Sequence, residues 1–194
     1  MNESFERNDF QRALTFTFGS EGGLSDHPAD RGGLTNMGIT AGTLNRAYIQ
    51  RIVAHNDVRR LTREEAAKIY EKLYWEPSCA DEMPWPLCAL HFDAAVNHGL
   101  GGASKLLQRT LSKAQRVPLE VDGSIGPKTK RVLYAVLMDM EANVQYRRAV
   151  CTIYLSFREQ LFRAIVANNP SQKVFLRGWL NRLEKNRRLV SNMV

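Results

Sequence analysis

Apolar positions recur at helical spacing along most of the chain. Between Asn8 and Gly19, the residues Phe10, Leu14, Thr17 and Phe18 share one face, which predicts a helix ending where Gly22 and Gly23 begin. From Leu24 to Ile39 the pattern lapses into glycine and Pro28, a composition suited to an irregular loop or short hairpin that takes positive φ. Thr40 is placed to cap a second helix running to about Ala54. Thr62-Arg63-Glu64-Glu65 has the form of a capping box and opens a third helix, with Ala66, Ile69, Tyr70 and Leu73 facing inward until Pro77 ends it.

Pro84 and Pro86 precede an apolar stripe of Leu87, Leu90, His91, Ala94 and Ala95 that reaches Asn97-His98-Gly99, and Gly101 with Gly102 predicts the next break. A helix is expected from Ala103 to Ala114, then a loop to Gly126, with Pro127 as the first residue of another helix. Tyr146, Val150, Ile153, Tyr154, Phe157, Leu161 and Ile165 form a sustained apolar face that Asn169-Pro170 interrupts. Phe175 to Val190 reads as a final helix with a basic exposed side. No internal repeat, low-complexity linker or alternation of strands with helices is visible. The expected class is mainly α, with roughly six to eight helices and a small β-hairpin near residues 24–36.

Composition adds a preference in partners. The chain has 194 residues and a net charge of +7, which favours an anionic partner: nucleic acid, a membrane surface or a bacterial cell wall. Basic residues are scattered and no nucleic-acid reader motif is present, so nucleic acid is not the expected partner. The cluster Arg182, Lys185, Arg187 and Arg188 reads as a solvated face able to attract wall polyanions. Cys79, Cys88 and Cys151 have no Cys-x-x-Cys spacing, and reduced thiols are expected. The N-terminal residues form no apolar signal region, and no apolar run approaches the ~18 residues of a membrane span. The expectation is a monomer made in the cytoplasm without a signal peptide and without stable membrane insertion. A holin or a secretion system would then carry it to any substrate beyond the inner membrane.

The four histidines show no zinc spacing, and neither a Gly-x-Ser-x-Gly elbow nor a phosphate-cradling loop is present, so no metal or cofactor is expected. The chemistry instead points to carboxylates. Glu21 sits at a helix end with Phe18 and Leu24 nearby in sequence, and nine positions on Asp30 lies in the glycine-rich segment. Glycosidic cleavage commonly uses one protonated carboxyl for the leaving oxygen and a second group for water or the cationic sugar. Apolar neighbours would keep Glu21 protonated, and a polar loop would keep Asp30 ionised. A solvated Glu21 and a turn-capping Asp30 are the plainer alternatives. Thr35 either holds a water or anchors the loop. Tyr74 and Trp75 line a saccharide groove or belong to the core. Asn97 and His98 bond N-acetyl groups or cap their helix, and Trp179 packs or touches substrate. Asp93, within an apolar stretch, needs a buried partner, and an arginine or backbone contact explains it better than catalysis.

The spacing Glu21-x8-Asp30-x4-Thr35 resembles that of phage-type lysozymes, whose Asp-to-Thr interval is one residue longer. A closer resemblance covers almost the whole chain. Glu21-Gly22-Gly23, Pro28 to Thr35, Gly38-Ile39-Thr40, Tyr74-Trp75 and Phe92 to Gly99 are similar to motifs of the Glu-Gly-Gly N-acetylmuramidases of glycoside hydrolase family 108. Val121 to Thr129 resembles that family's C-terminal peptidoglycan-binding-like portion, and Gly178-Trp179-Leu180-Asn181-Arg182 its closing motif. The resemblance implies a lysozyme-like helical fold with a catalytic region over residues 1–115 and a peptidoglycan-binding-like region over 116–194, packed as one unit. It implies peptidoglycan glycan strands as substrate and cleavage of the β-1,4 bond from N-acetylmuramic acid to N-acetylglucosamine. Glu21 would be the general acid, assisted by Asp30 and Thr35, with Tyr74, Trp75, Asn97, His98 and Trp179 on substrate. A lytic transglycosylase and a non-catalytic wall-binding protein are the alternatives.

Overall fold

The structure is a computed structural model that describes residues 3–18, 24–25 and 35–193; Glu21, His27 and Asp30 lie outside the described residues. The chain divides into two compact units between Glu82 and Met83. Among the described residues the elements are helical apart from three short strands, as the mainly-α, lysozyme-like expectation required.

The first unit opens with helix α1 (Glu3–Phe18), which starts earlier than its apolar spacing suggested. Its buried stripe is Phe10, Ala13 and Thr17, with Leu14 only half-buried. Strands β1 (Leu24–Ser25), β2 (Thr35–Asn36) and β3 (Ile39–Thr40) form an antiparallel sheet in that order, with Leu24 opposite Asn36 and Thr35 opposite Thr40. The expected hairpin is therefore present, and a third strand extends it. Met37 (φ 49°) and Gly38 (φ 75°) make the two-residue turn from β2 to β3, in the left-handed region that matches hairpin twist. Thr40 caps helix α2 (Ala41–Ile49), its hydroxyl accepting from the Thr43 amide.

Helix α2 stops five residues before the expected Ala54. Its end is a Schellman motif: Ile52 N–H donates to Ala47 O at 2.9 Å and Arg51 N–H to Tyr48 O at 2.9 Å, with Arg51 at φ 60°. A glycine usually takes that left-handed position, so the stop carried no sequence mark. Helix α3 (Arg63–Tyr70) begins with the expected capping box of Thr62 and Glu65. The Thr62 backbone, then the nearby His55, hold the Glu65 carboxyl below its usual range against some opposition from burial. After Tyr70 the helix widens into a π turn over Glu71–Trp75 and tightens to a 3₁₀ turn at Glu76–Ser78 containing Pro77.

The second unit is built on four long helices: α4 (Leu87–Gln115), α5 (Pro127–Ala142), α6 (Val144–Asn168) and α7 (Lys173–Ser191). Helix α4 runs through Gly101 and Gly102, where a break was expected, and kinks instead at Gly99 (φ 72°, ψ 167°). Pro127 is the first residue of α5, as predicted, and Asn143 caps α6 by accepting from the amides of Gln145 and Tyr146. The inward face of α6 is Val150, Cys151, Tyr154, Leu155, Arg158 and Phe162; the expected Ile153, Phe157, Leu161 and Ile165 are half-buried. One arginine in the buried stripe accounts for that rotation, because Arg158 is drawn inward by a partner on α4.

Candidate functional site

In the first unit, Tyr70 joins three segments. Its hydroxyl donates to Met37 O at 2.9 Å, its ring lies 4.1 Å from that of Phe18, and Tyr74 follows at 5.9 Å. A Cβ at Gly38 would stand 2.7 Å from the Tyr70 hydroxyl, so glycine allows this approach as well as the turn. The end of α1, the β2–β3 turn and the end of α3 are thereby fixed together. Phe18 is the last residue of α1, three positions before Glu21 in sequence, and Asn36 on β2 also donates to Val58 O at 3.0 Å. Thr35 is half-buried on β2. Tyr74 is half-buried beneath the Arg46 guanidinium, 5.7 Å from its ring centre. Trp75 is 4% exposed, with its ring 5.4 Å from Phe10, and packs α1 against the turn that carries Tyr74.

In the second unit, Asp93 lies one turn before the adjacent Asn97 and His98 on α4, which precede the Gly99 kink. Asp93 is 1% exposed. Arg158 Nη1 donates to its Oδ2 at 2.5 Å, and Arg182 Nε and Nη2 both donate to its Oδ1, at 2.8 and 2.5 Å. Asn186 Nδ2 approaches Oδ2 at 3.5 Å. Burial works to raise the Asp93 pKa, but the Arg158 and Arg182 charges outweigh it and hold the carboxyl below its usual range. Of the arginine or backbone contact expected for Asp93, the structure supplies two arginines. Arg182 consequently leaves the solvated basic face to which sequence assigned it, and Arg187 pairs with Glu159 at 2.5 Å.

Arg158 is also the residue that orients His98, donating from Nε to His98 Nε2 at 3.3 Å. The His98 ring lies 5.2 Å from Phe162, which stacks on Trp179 at 5.2 Å, and Trp179 meets the exposed Phe175 at 6.1 Å. His98 and Trp179 thus flank one aromatic ring. Asn97 is exposed, and its amide donates to Asp93 O at 2.6 Å, one turn back along α4.

The block from Val121 to Thr129 is held from α4. The buried Gln108 donates to Asp122 Oδ1 at 2.7 Å and Ser124 O at 3.0 Å, and accepts from Gly123 N–H at 3.0 Å. Gly123 has φ 86°, and a Cβ there would meet Gly101 O at 3.0 Å. Asp122, Gly123, the Ser124 backbone and Thr129 are engaged in shaping the loop.

Residues 14–99 match the family model described as Glycosyl hydrolase 108, and residues 102–184 the one described as Predicted Peptidoglycan domain. Residues 14–99 are a region of glycosyl hydrolase 108 type. The chain is also similar to a solved protein described as "Structure of Brucella abortus SagA", with 29% identity, 95% of each chain covered and a TM-score of 0.69. No curated protein matches it. The chain is a glycoside hydrolase acting on peptidoglycan. Its two matched regions meet inside α4, around the Gly99 kink, and Asp93 of the hydrolase match is held by Arg158 and Arg182 of the peptidoglycan match. The 115/116 division expected from sequence falls at the end of α4, where Arg116 turns left-handed at φ 55°. Among the described residues no helix is long and apolar enough to cross a membrane.

Sequence reasoning missed Arg158, Gln108 and the role of Arg182. Arg158 had a signal: it stands four positions from both Tyr154 and Phe162 on the buried side of α6.

Proposed function

We propose that this enzyme is an N-acetylmuramidase that hydrolyses the β-1,4 bond from N-acetylmuramic acid to N-acetylglucosamine, with Glu21 as general acid. The observation that carries the reading is the matched hydrolase region, 14–99, which contains Glu21, Asp30 and Thr35 and in which Tyr70 fixes Phe18 to the β2–β3 turn. A general acid must stand within hydrogen-bond reach of the leaving oxygen, and rigid flanking elements favour that placement. Asp30 stabilises the oxocarbenium-like sugar or directs water, and Thr35 assists it. Tyr74, Asn97, His98 and Trp179 contact the glycan, while Trp75 supports Tyr74 from the core. About 6.5–9.5 Å between the two carboxyls corresponds to inversion and about 5–5.5 Å to a covalent intermediate. The enzyme works as a monomer in phage-type lysis or in muramidase-dependent secretion, reaching the wall through a holin or a secretion system.

The test is release of new reducing ends from purified peptidoglycan. The unsubstituted protein should release them, and Glu21→Gln should be slower by about 10²- to 10⁴-fold, the usual contribution of a positioned acid. Near-normal turnover by Glu21→Gln would remove Glu21 from the mechanism. Wall binding without turnover by the unsubstituted protein would favour a non-catalytic wall-binding role.

A further inference from the structure

Four local features fix the position of His98. Gly99, at φ 72° and ψ 167°, stops the helical path immediately after it. Gly102 leaves the space it needs, since a Cβ there would lie 2.8 Å from His98 Cβ. Phe162 lies against its ring at 5.2 Å, and Arg158 Nε reaches its Nε2 at 3.3 Å.

The arginine contact has a chemical consequence. An arginine Nε carries a hydrogen and can only donate, so His98 Nε2 must present a lone pair and the ring proton must sit on Nδ1. Arg158 is itself fixed: its side chain is 1% exposed and bound to Asp93, whose other oxygen is held by Arg182. The groups facing the His98 ring from neighbouring helices are thus Arg158 on α6, Asp93 on its own α4 and Arg182 on α7. Among the described residues Nδ1 has no partner, and the ring is half-buried beside the exposed Asn97.

We propose that His98 is a neutral, fixed hydrogen-bond donor, through Nδ1–H, to a carbonyl oxygen of the glycan strand, and that Arg158 is the positioning residue that sets its tautomer. The choice of glycan rests on the peptidoglycan reading above, whereas the tautomer rests on geometry alone. With Nε2 occupied and Nδ1 protonated, the ring offers no lone pair to substrate, so it donates and does not act as a general base. A second proton is opposed first by burial and then by the Arg158 charge, which together bring the pKa to about 4. The donor therefore keeps one form across neutral and mildly acidic pH.

Long-range ¹H–¹⁵N correlation spectra of the uniformly labelled full chain test this directly. The expected result is a His98 ring with Nδ1 protonated and Nε2 unprotonated at neutral pH, titrating well below the ordinary histidine range. A soluble N-acetylglucosamine–N-acetylmuramic acid tetrasaccharide should then shift the Nδ1–H resonance. An Nε2-protonated ring, a ring titrating near its ordinary pKa of 6.5, or an Nδ1–H unmoved by saturating saccharide would each overturn the proposal. In turnover, His98→Asn places an amide N–H near the Nδ1 position and should lose less kcat/KM than His98→Gln. His98→Gln, whose amide replaces Nε2, should lose about tenfold, the usual value of one hydrogen bond. Equal losses in both variants would count against the donor role. A perturbed Nδ1–H in a protein that turns over no peptidoglycan would fault the hydrolase reading and leave this one standing.

Discussion

Replacing Asp93 by Asn removes a negative charge that two arginines share while keeping the size of the side chain. Arg158 is 1% exposed and cannot turn to solvent, so its guanidinium would be left charged and buried without a counter-ion. Breaking a buried pair from one side costs about 3–5 kcal/mol. The Arg182 side chain is 34% exposed and can rehydrate, so its share adds at most about 1 kcal/mol and does not move that range. For a chain of this size, 1 kcal/mol corresponds to roughly 2–4 °C, so the melting transition of the second unit should fall by about 6–20 °C. Urea titration followed by circular dichroism, with a thermal melt beside it, measures the loss. Replacing both partners, as Asp93→Leu with Arg158→Met, removes the stranded charge and should recover most of it. The pH dependence has a fixed sign: the Asp93 pKa is lowered on folding from its reference of 3.8, so its stabilisation is present above that value and disappears as acid protonates the folded carboxylate. A loss below about 1 kcal/mol in Asp93→Asn, or a double variant no better than the single one, would refute the argument.

Other outcomes follow from the same geometry. The His98 pKa falls from 6.5 to about 4 on folding, so between those values the unfolded chain holds a proton that the folded chain refuses. Stability should therefore drop by about 3 kcal/mol as the pH is lowered through that window, and urea midpoints of His98→Asn should lose this slope. Gly99→Ala forces a side chain into a backbone region used essentially by glycine and should cost about 1–3 kcal/mol in the same urea assay. Gly126→Ala, with no atom within 4 Å of the added Cβ, is its neutral control. Gln108→Leu should release the Asp122–Ser124 loop, seen as faster amide exchange at Gly123, whose N–H it now accepts at 3.0 Å.

Local signals in the sequence were read well where a residue type has one mechanical use. The Thr62–Glu65 capping box, the Thr40 cap and Pro127 at a helix start depend on groups a few positions apart, the hairpin near residues 24–36 on a glycine-rich stretch between its strands, and each is present. Failures came where tertiary contacts decide. Arg51 ends α2 in a conformation that glycine usually takes, and Gly99 carries the kink while its neighbours Gly101 and Gly102 remain helical, because only the fold reveals which glycine needs positive φ. At the candidate site, the apolar surroundings of Asp93 called for an arginine or backbone partner, and the structure supplies Arg158 and Arg182. Which arginines would answer could not be read from spacing, since they lie 65 and 89 positions away. Motifs pointed to His98 and Trp179, but the ring of Phe162 between them belongs to a third helix and had no signal of its own.

On the proposed function, water directed by a site whose acid is Glu21 completes glycosidic cleavage. Mass spectrometry of muropeptides released by the unsubstituted protein and by Glu21→Gln, digested side by side, tests it most directly. N-acetylmuramic acid is expected at new reducing ends, each product carrying the added mass of one water, and almost none of it from the variant. Anhydro-muramic ends lacking that water, or equal product from both proteins, would contradict that function.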